Sequence, residues 1–160
     1  WLSASSFFCL VELKNLFPIT KNDRLKKYEA RNEAVQIDIY LPYFSDLGLP
    51  VEEIIKEVAK IETFVLPTPE MLLILKQFTY SQRYLFAKGQ KDMLDIISLL
   101  SKTTIDWKKY KNLLTKFKIE IYSHKLQEII KSNTHILQLD LNQHAYSRMK
   151  KGILKQLVVK

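Results

Sequence analysis

The chain has 160 residues, 47% of them hydrophobic, and 25 Lys and Arg against 17 Asp and Glu give it a net charge of +8. That suffices for one domain, or one and a half, with a real core, and the low glycine and proline content excludes collagen-like and disordered classes. Apolar runs such as residues 71–75 fall far short of the roughly 20 residues that cross a bilayer, and a lone cysteine, Cys9, excludes a disulfide framework or a cysteine-based zinc site. The composition predicts a soluble, cytoplasmic, mildly basic globular protein with no membrane partner.

An opening on Trp1 rather than Met is the mark of a processed or trimmed chain or a fragment. Residues 6–11 (Ser-Phe-Phe-Cys-Leu-Val) are too few for a signal core, lack a basic lead-in and run into Glu12 and Lys14, so they predict an amphipathic helix. The clearest strand follows at residues 35–41. There Val35, Ile37, Ile39 and Leu41 point one way, and Gln36, Asp38 and Tyr40 the other. Residues 26–30 are its expected partner, joined through a tight Arg31-Asn32-Glu33 connection. Pro42 and the turn at residues 45–48 end the sheet region.

The character changes near Pro50. Pro50 with Glu52 and Glu53 predicts a helix whose stripe is Val51, Ile54, Ile55, Val58 and Ile61. Thr68 suits an N-cap and Pro69 a first helical position, so a second helix is expected over about 69–87, stopped by Gly89. A third is expected from about Gln90, burying Leu94, Ile97 and Leu100. Asp106 caps a fourth starting at Trp107, and two more are expected over about 119–132 and 142–158. The predicted class is α+β: a small N-terminal mixed sheet within residues 1–49, then a helical region over 50–160.

Two groups of residues carry chemistry. Asp38 sits mid-strand, where a carboxylate is disfavoured. It is either part of a solvated sheet face or a ligand for a hard cation such as Mg²⁺. Lys76 and Arg83, seven residues apart, share a helix face, while Asp92 and Asp95 share a face of the next helix. A short link makes the two helices an antiparallel hairpin, so two cations can meet two carboxylates. They form either an inter-helix ion-pair cluster or a polyphosphate site whose lysine and arginine are oriented by the aspartates.

Other chemistries find little support. His124, His135 and His144 have no metal-ligand spacing, and no glycine-rich phosphate loop occurs. Residues 81–160 carry a +10 excess interleaved with Tyr84, Trp107, Tyr110, Phe117, Tyr122 and Tyr146, a bias compatible with an RNA backbone.

Taken together, residues 35–41 around Asp38 resemble the third-carboxylate strand of the nucleotidyltransferase fold, the polymerase-β-like superfamily. Residues 66–76 (Leu-Pro-Thr-Pro-Glu-Met-Leu-Leu-Ile-Leu-Lys), then Arg83, then Lys91-Asp92-Met93-Leu94-Asp95, resemble the helical part of AbiEii-type abortive-infection toxins and their minimal archaeal and bacterial relatives. The resemblance spans roughly residues 24–101. It implies Mg²⁺-dependent transfer of a nucleotide from an NTP to an RNA such as tRNA, or to a protein, in a toxin that has a cognate antitoxin. By the same resemblance Asp38 is the third carboxylate and a metal ligand. Lys76 contacts phosphate, Arg83 and Lys91 support it, and Asp92 and Asp95 shape the nucleotide pocket. The family's Gly-Ser turn and Asp-x-Asp do not occur in these 160 residues. Transfer is therefore expected only if that motif precedes Trp1. The alternative expectation is an inactive relative that binds RNA or a partner protein.

Overall fold

Strand-forming residues come first. A computed structural model of the chain describes residues 12–62, 64–133 and 142–158, and the helix expected through residues 6–11 lies outside them. Residues 12–16 are helical and lead into β1 (Ile19–Asn22), β2 (Lys27–Arg31) and β3 (Gln36–Ile39). The order is β1-β2-β3 and both pairings are antiparallel, with Glu29 opposite Thr20 on one side and Asp38 on the other. The β2–β3 connection is held by Asn32, whose Oδ1 accepts from the backbone N–H groups of Ala34 and Val35 at 3.0 and 2.7 Å. Ser45 ties the following turn back to the sheet: its Oγ donates to the Lys26 carbonyl at 2.5 Å and accepts from the Leu41 N–H at 2.9 Å.

The helix expected from Pro50 is brief. Helix α1 is Val51–Ile54, with Val51 and Ile54 buried, and the chain then turns into β4 (Val58–Ile61) and β5 (Phe64–Pro67). Val58 and Ile61, expected on a helical stripe, are hairpin residues instead. Antiparallel pairing of Val58 with Pro67 and Ile61 with Phe64 satisfies a backbone that β-branched and aromatic side chains favour as strand. Pairing among the described strands is antiparallel throughout, in place of the expected mixed sheet.

From here the chain is helical: α2 (Pro69–Arg83), α3 (Ala87–Lys102), α4 (Trp107–Phe117), α5 (Ile121–Ser132) and α6 (Gln143–Val158). The α+β class is as expected. Two compact units result, residues 1–56 and 57–160, whereas composition placed the change at 49/50. The first unit carries seven basic and eight acidic residues and the second 18 and nine, so the second holds a net +9.

Within the helical unit α2 packs on α3, α4, α5 and β5, and α6 packs on α5. Met71, Leu73 and Ile74 of α2 are buried with Ile96 and Ile97 of α3 and Leu126 and Ile130 of α5; Leu94 is only half-buried. The core also holds a polar relay. The hydroxyl of Tyr110 donates to Gln77 Oε1 at 2.7 Å, and Gln77 Nε2 donates to the Tyr122 carbonyl at 2.7 Å. This joins α4, α2 and α5, and burial pushes the Tyr110 hydroxyl far above the ordinary tyrosine range.

The helix ends differ in how they are capped. Asp106 caps α4 by accepting from the Lys109 N–H at 3.0 Å, and Glu70 Oε1 accepts from the Asp106 N–H at 2.9 Å. The Lys150 ammonium donates to the Asn133 carbonyl at 2.9 Å, placing a cation where the α5 dipole is negative. Thr68 occupies the N-cap of α2 with Pro69 at the first helical position, yet its buried hydroxyl makes no hydrogen bond. Its backbone N–H is drawn to the Glu57 carbonyl at 2.9 Å, which closes the β4–β5 hairpin instead.

Candidate functional site

Asp38 belongs to a cross-strand polar network on one face of the three-stranded sheet. Alternation puts Lys27 and Glu29 of β2 on the same face as Gln36 and Asp38 of β3. Lys27 is buried, and its ammonium lies 2.7 Å from Asp38 Oδ2 and 3.0 Å from Glu29 Oε1. The second Asp38 oxygen accepts from Gln36 Nε2 at 3.3 Å, and Asn22 Nδ2 donates to Glu29 Oε1 at 3.0 Å. Burial works to lower the Lys27 ammonium, but hydrogen bonds with Asp38 and Glu29 outweigh it and hold the ammonium above its usual range. Burial works to raise Asp38, and the hydrogen bonds from Lys27 and Gln36 overcome it and hold the carboxyl low. Glu29 is held low by its bonds to Lys27 and Asn22.

This geometry bears on metal binding. A hard divalent cation needs several oxygen ligands, and the Lys27 ammonium takes the place that a cation shared by Asp38 and Glu29 would occupy. Among the described residues no group of three or more Asp, Glu, His or Cys is arranged to hold a metal ion. The residues at Asp38 do not by themselves fit Mg²⁺.

Lys27→Met is expected to lower stability at neutral pH by about 2 kcal/mol, less than a fully buried pair because Asp38 reaches water. The sign against pH is fixed by the shifts. Carboxyls held low stabilise the fold above their ordinary range, and that contribution disappears as the pH falls through their folded values. The Lys27 contribution is present below the ordinary lysine range and disappears as the pH rises through its raised folded value. Thermal melts of the two proteins should therefore converge from pH 7 down to pH 3; a gap that widens on acidification would contradict the assignment.

The second group lies within the helical unit. Lys76 Nζ meets Asp95 Oδ2 at 2.7 Å. About two turns further along α2, Arg83 Nε and Nη2 donate to Asp92 Oδ2 and Oδ1 at 2.5 and 3.0 Å, a two-pronged contact. The antiparallel α2–α3 hairpin thus carries two ion-pair rungs between the side chains that the sequence paired. They differ in environment: the Asp92 side chain is 4% exposed, whereas Lys76 and Asp95 are about one-third exposed. Lys91 is exposed on α3.

Gly89, expected to stop the preceding helix, lies in the first turn of α3 and is buried. A Cβ there would lie against the Arg83 carbonyl oxygen, 2.6 Å from Tyr84 Cα and 2.8 Å from the Arg83 carbonyl carbon. The absence of a side chain lets α3 start against the end of α2, which brings Asp92 to Arg83. Beside the outer rung is a groove of about 380 Å³ lined by Leu72, Lys76, Asp95, Ser98, Leu99 and Lys102, with Thr103 at its end.

Asp38 belongs to the first unit and the hairpin residues to the second. The sequence did not single out Lys27, although aligning Glu29 with Asp38 across the β2–β3 connection exposes it two residues away. Nor did it find the Gln77 relay, for which no sequence signal exists. Among the described residues no helix is long and apolar enough to cross a membrane.

The class defined by fold and site is an α+β protein with a three-stranded sheet and an ion-paired helical hairpin. No family model, curated protein or solved structure matches the chain.

Proposed function

We propose that the helical unit binds a nucleoside triphosphate at the groove beside Lys76, as a nucleotidyltransferase-like protein. The observation that carries this reading is the outer rung: Lys76 is held by Asp95 at 2.7 Å at the wall of an open groove, and is accessible. A polyphosphate entering the groove competes with one partly exposed carboxylate, a modest obstacle, and gains a positioned ammonium. The inner rung has a scaffolding part, with Arg83 and Asp92 fixing the hairpin that presents Lys76. Asp95 orients the ammonium, and Lys91 adds positive potential from α3.

With a motif of the Gly-Ser…Asp-x-Asp kind in the native protein, the activity is Mg²⁺-dependent nucleotide transfer to tRNA or to a protein, in a toxin restrained by an antitoxin. Asp38 is the third carboxylate of that reading, and the Lys27 ammonium seated on it must be displaced before it can hold a metal. The second reading is a non-catalytic relative that binds RNA or a partner protein, favoured by the Lys27 ammonium lying on Asp38.

The test is titration of the full chain with ATP, CTP, GTP and UTP in Mg²⁺ buffer by calorimetry. Lys76→Ala should weaken binding about tenfold or more and cost less than about 1 kcal/mol of stability, as expected of a partly exposed pair. Absence of NTP binding at millimolar concentrations, or binding indifferent to Lys76→Ala, would refute the site.

A further inference from the structure

A second cleft in the helical unit suits a different ligand. It lies between α2 and α5, has a volume of about 430 Å³, and is walled by Tyr80, Tyr84, Lys125, Glu128 and Ile129. Ser81 and Ser132 complete it, and none of these residues lines the groove at Lys76. This cleft therefore stands or falls apart from that groove.

Its wall is aromatic. The rings of Tyr80 and Tyr84 are 6.3 Å apart and tilted by 53°, and Tyr84 is 53% exposed. A ring propped by a neighbour and open to solvent is a stacking platform for a planar group. Ile129, buried on α5, adds apolar surface.

Its charges are available. Lys125 and Glu128 are three residues apart on α5 and so share a face, yet they do not pair. The Lys125 ammonium lies 5.5 Å from the Tyr122 ring centroid instead. The Glu128 carboxylate has no hydrogen-bond or ion-pair partner among the described residues. Ser81 and Ser132 donate their hydroxyl protons to the carbonyls of Phe78 and Glu128, each at 2.8 Å; the Ser81 oxygen is left to accept, while that of Ser132 already accepts from Asn133 Nδ2 at 3.3 Å.

The cleft thus asks for a planar ring, hydroxyl donors for a carboxylate, and an anion for one lysine. A free amino acid supplies opposite charges but is too small to fill the volume, which lies in the range of drug-sized ligands. A triphosphate brings more negative charge than one lysine offsets, and beside Glu128 the excess is repelled. We propose that the cleft between α2 and α5 binds a single ribonucleotide, its base on Tyr80 and Tyr84, its ribose hydroxyls on Glu128 and its phosphate on Lys125. A free 5′-monophosphate and the 3′-terminal residue of an RNA strand offer this same chemistry.

The experiment observes the full chain by two-dimensional NMR. The probes are the four ribonucleoside 5′-monophosphates, their 2′,3′-dideoxy counterparts, and a hexaribonucleotide ending in a 3′-hydroxyl or a 3′-phosphate. Ribonucleotides should bind about tenfold more tightly than dideoxynucleotides, since Glu128 loses both hydroxyl donors in the latter. Glu128→Gln should shrink that preference, and Tyr84→Ala should weaken binding about tenfold. Tyr84 and Glu128 are exposed, so melting curves of these variants should match the parent.

Tighter binding of the monophosphates than of either hexamer identifies a free nucleotide. Tighter binding of the 3′-hydroxyl hexamer, lost with the 3′-phosphate, identifies an RNA end. If neither class binds at up to 10 mM, or if binding is indifferent to both Tyr84→Ala and Glu128→Gln, the proposal is overturned.

Discussion

Gly89→Ala is expected to destabilise the helical unit by about 3 kcal/mol, the upper end for overpacking a tight contact. Helix propensity alone gives the opposite sign, since alanine in a helix gains about 1 kcal/mol over glycine. Packing wins because the added methyl meets backbone: the Arg83 carbonyl oxygen, and Tyr84 Cα at 2.6 Å. No side-chain rotation relieves that contact, so α3 must slide off the end of α2. The slide also separates Asp92, one turn further along α3, from Arg83. Gly152 on α6 is the matched control, for a Cβ there meets nothing within 4 Å. Gly152→Ala should follow propensity and stabilise by about 0.5–1 kcal/mol. Denaturant titration of both variants decides the matter; equal gains from the two would mean that the α2–α3 contact is looser than described.

Removing one half of the inner rung should cost nearly as much. Arg83→Met leaves the Asp92 carboxylate, 4% exposed, without its two guanidinium donors. Breaking a buried pair costs about 3–5 kcal/mol, but Arg83 itself is 41% exposed and its truncation admits water, so about 2–3 kcal/mol is expected. Arg83→Met combined with Asp92→Leu should recover much of the loss, giving a coupling energy of about 2 kcal/mol in a double-mutant cycle. The same cycle on Lys76 and Asp95 should give about 0.5 kcal/mol, because both side chains are solvated. Equal coupling at the two rungs would remove the distinction between a scaffolding pair and an available one, on which the proposed triphosphate groove rests.

The ion-paired hairpin was legible because its information is local. A seven-residue interval in one helix, a three-residue interval in the next and a short link leave little choice of partner, and Lys76 with Asp95 and Arg83 with Asp92 result. Asp106 as a cap and the spans of α5 and α6 were legible on the same ground, since capping and helical periodicity act within a turn or two. Val58 and Ile61 were misread because a short β-branched run satisfies either period. Pairing with the segment from Phe64 to Pro67 decides for strand.

What the sequence determined by itself is therefore the class, the helical pattern from Pro69 onward, the two cations and two carboxylates brought to one hairpin, and the concentration of positive charge in the second half. Tertiary structure decided what each polar group faces. Lys27 reaches Asp38 only through the antiparallel register of β2 and β3, and Gln77 joins Tyr110 and Tyr122 only when α2, α4 and α5 converge. Gly89 changes from a helix stop to a contact point once α3 begins against the last turn of α2. Tyr84 and Glu128, 44 residues apart, meet in one cleft by the packing of α2 on α5. Local propensities are set by each residue and its near neighbours, whereas burial and partner choice depend on surfaces that exist only after distant segments have packed.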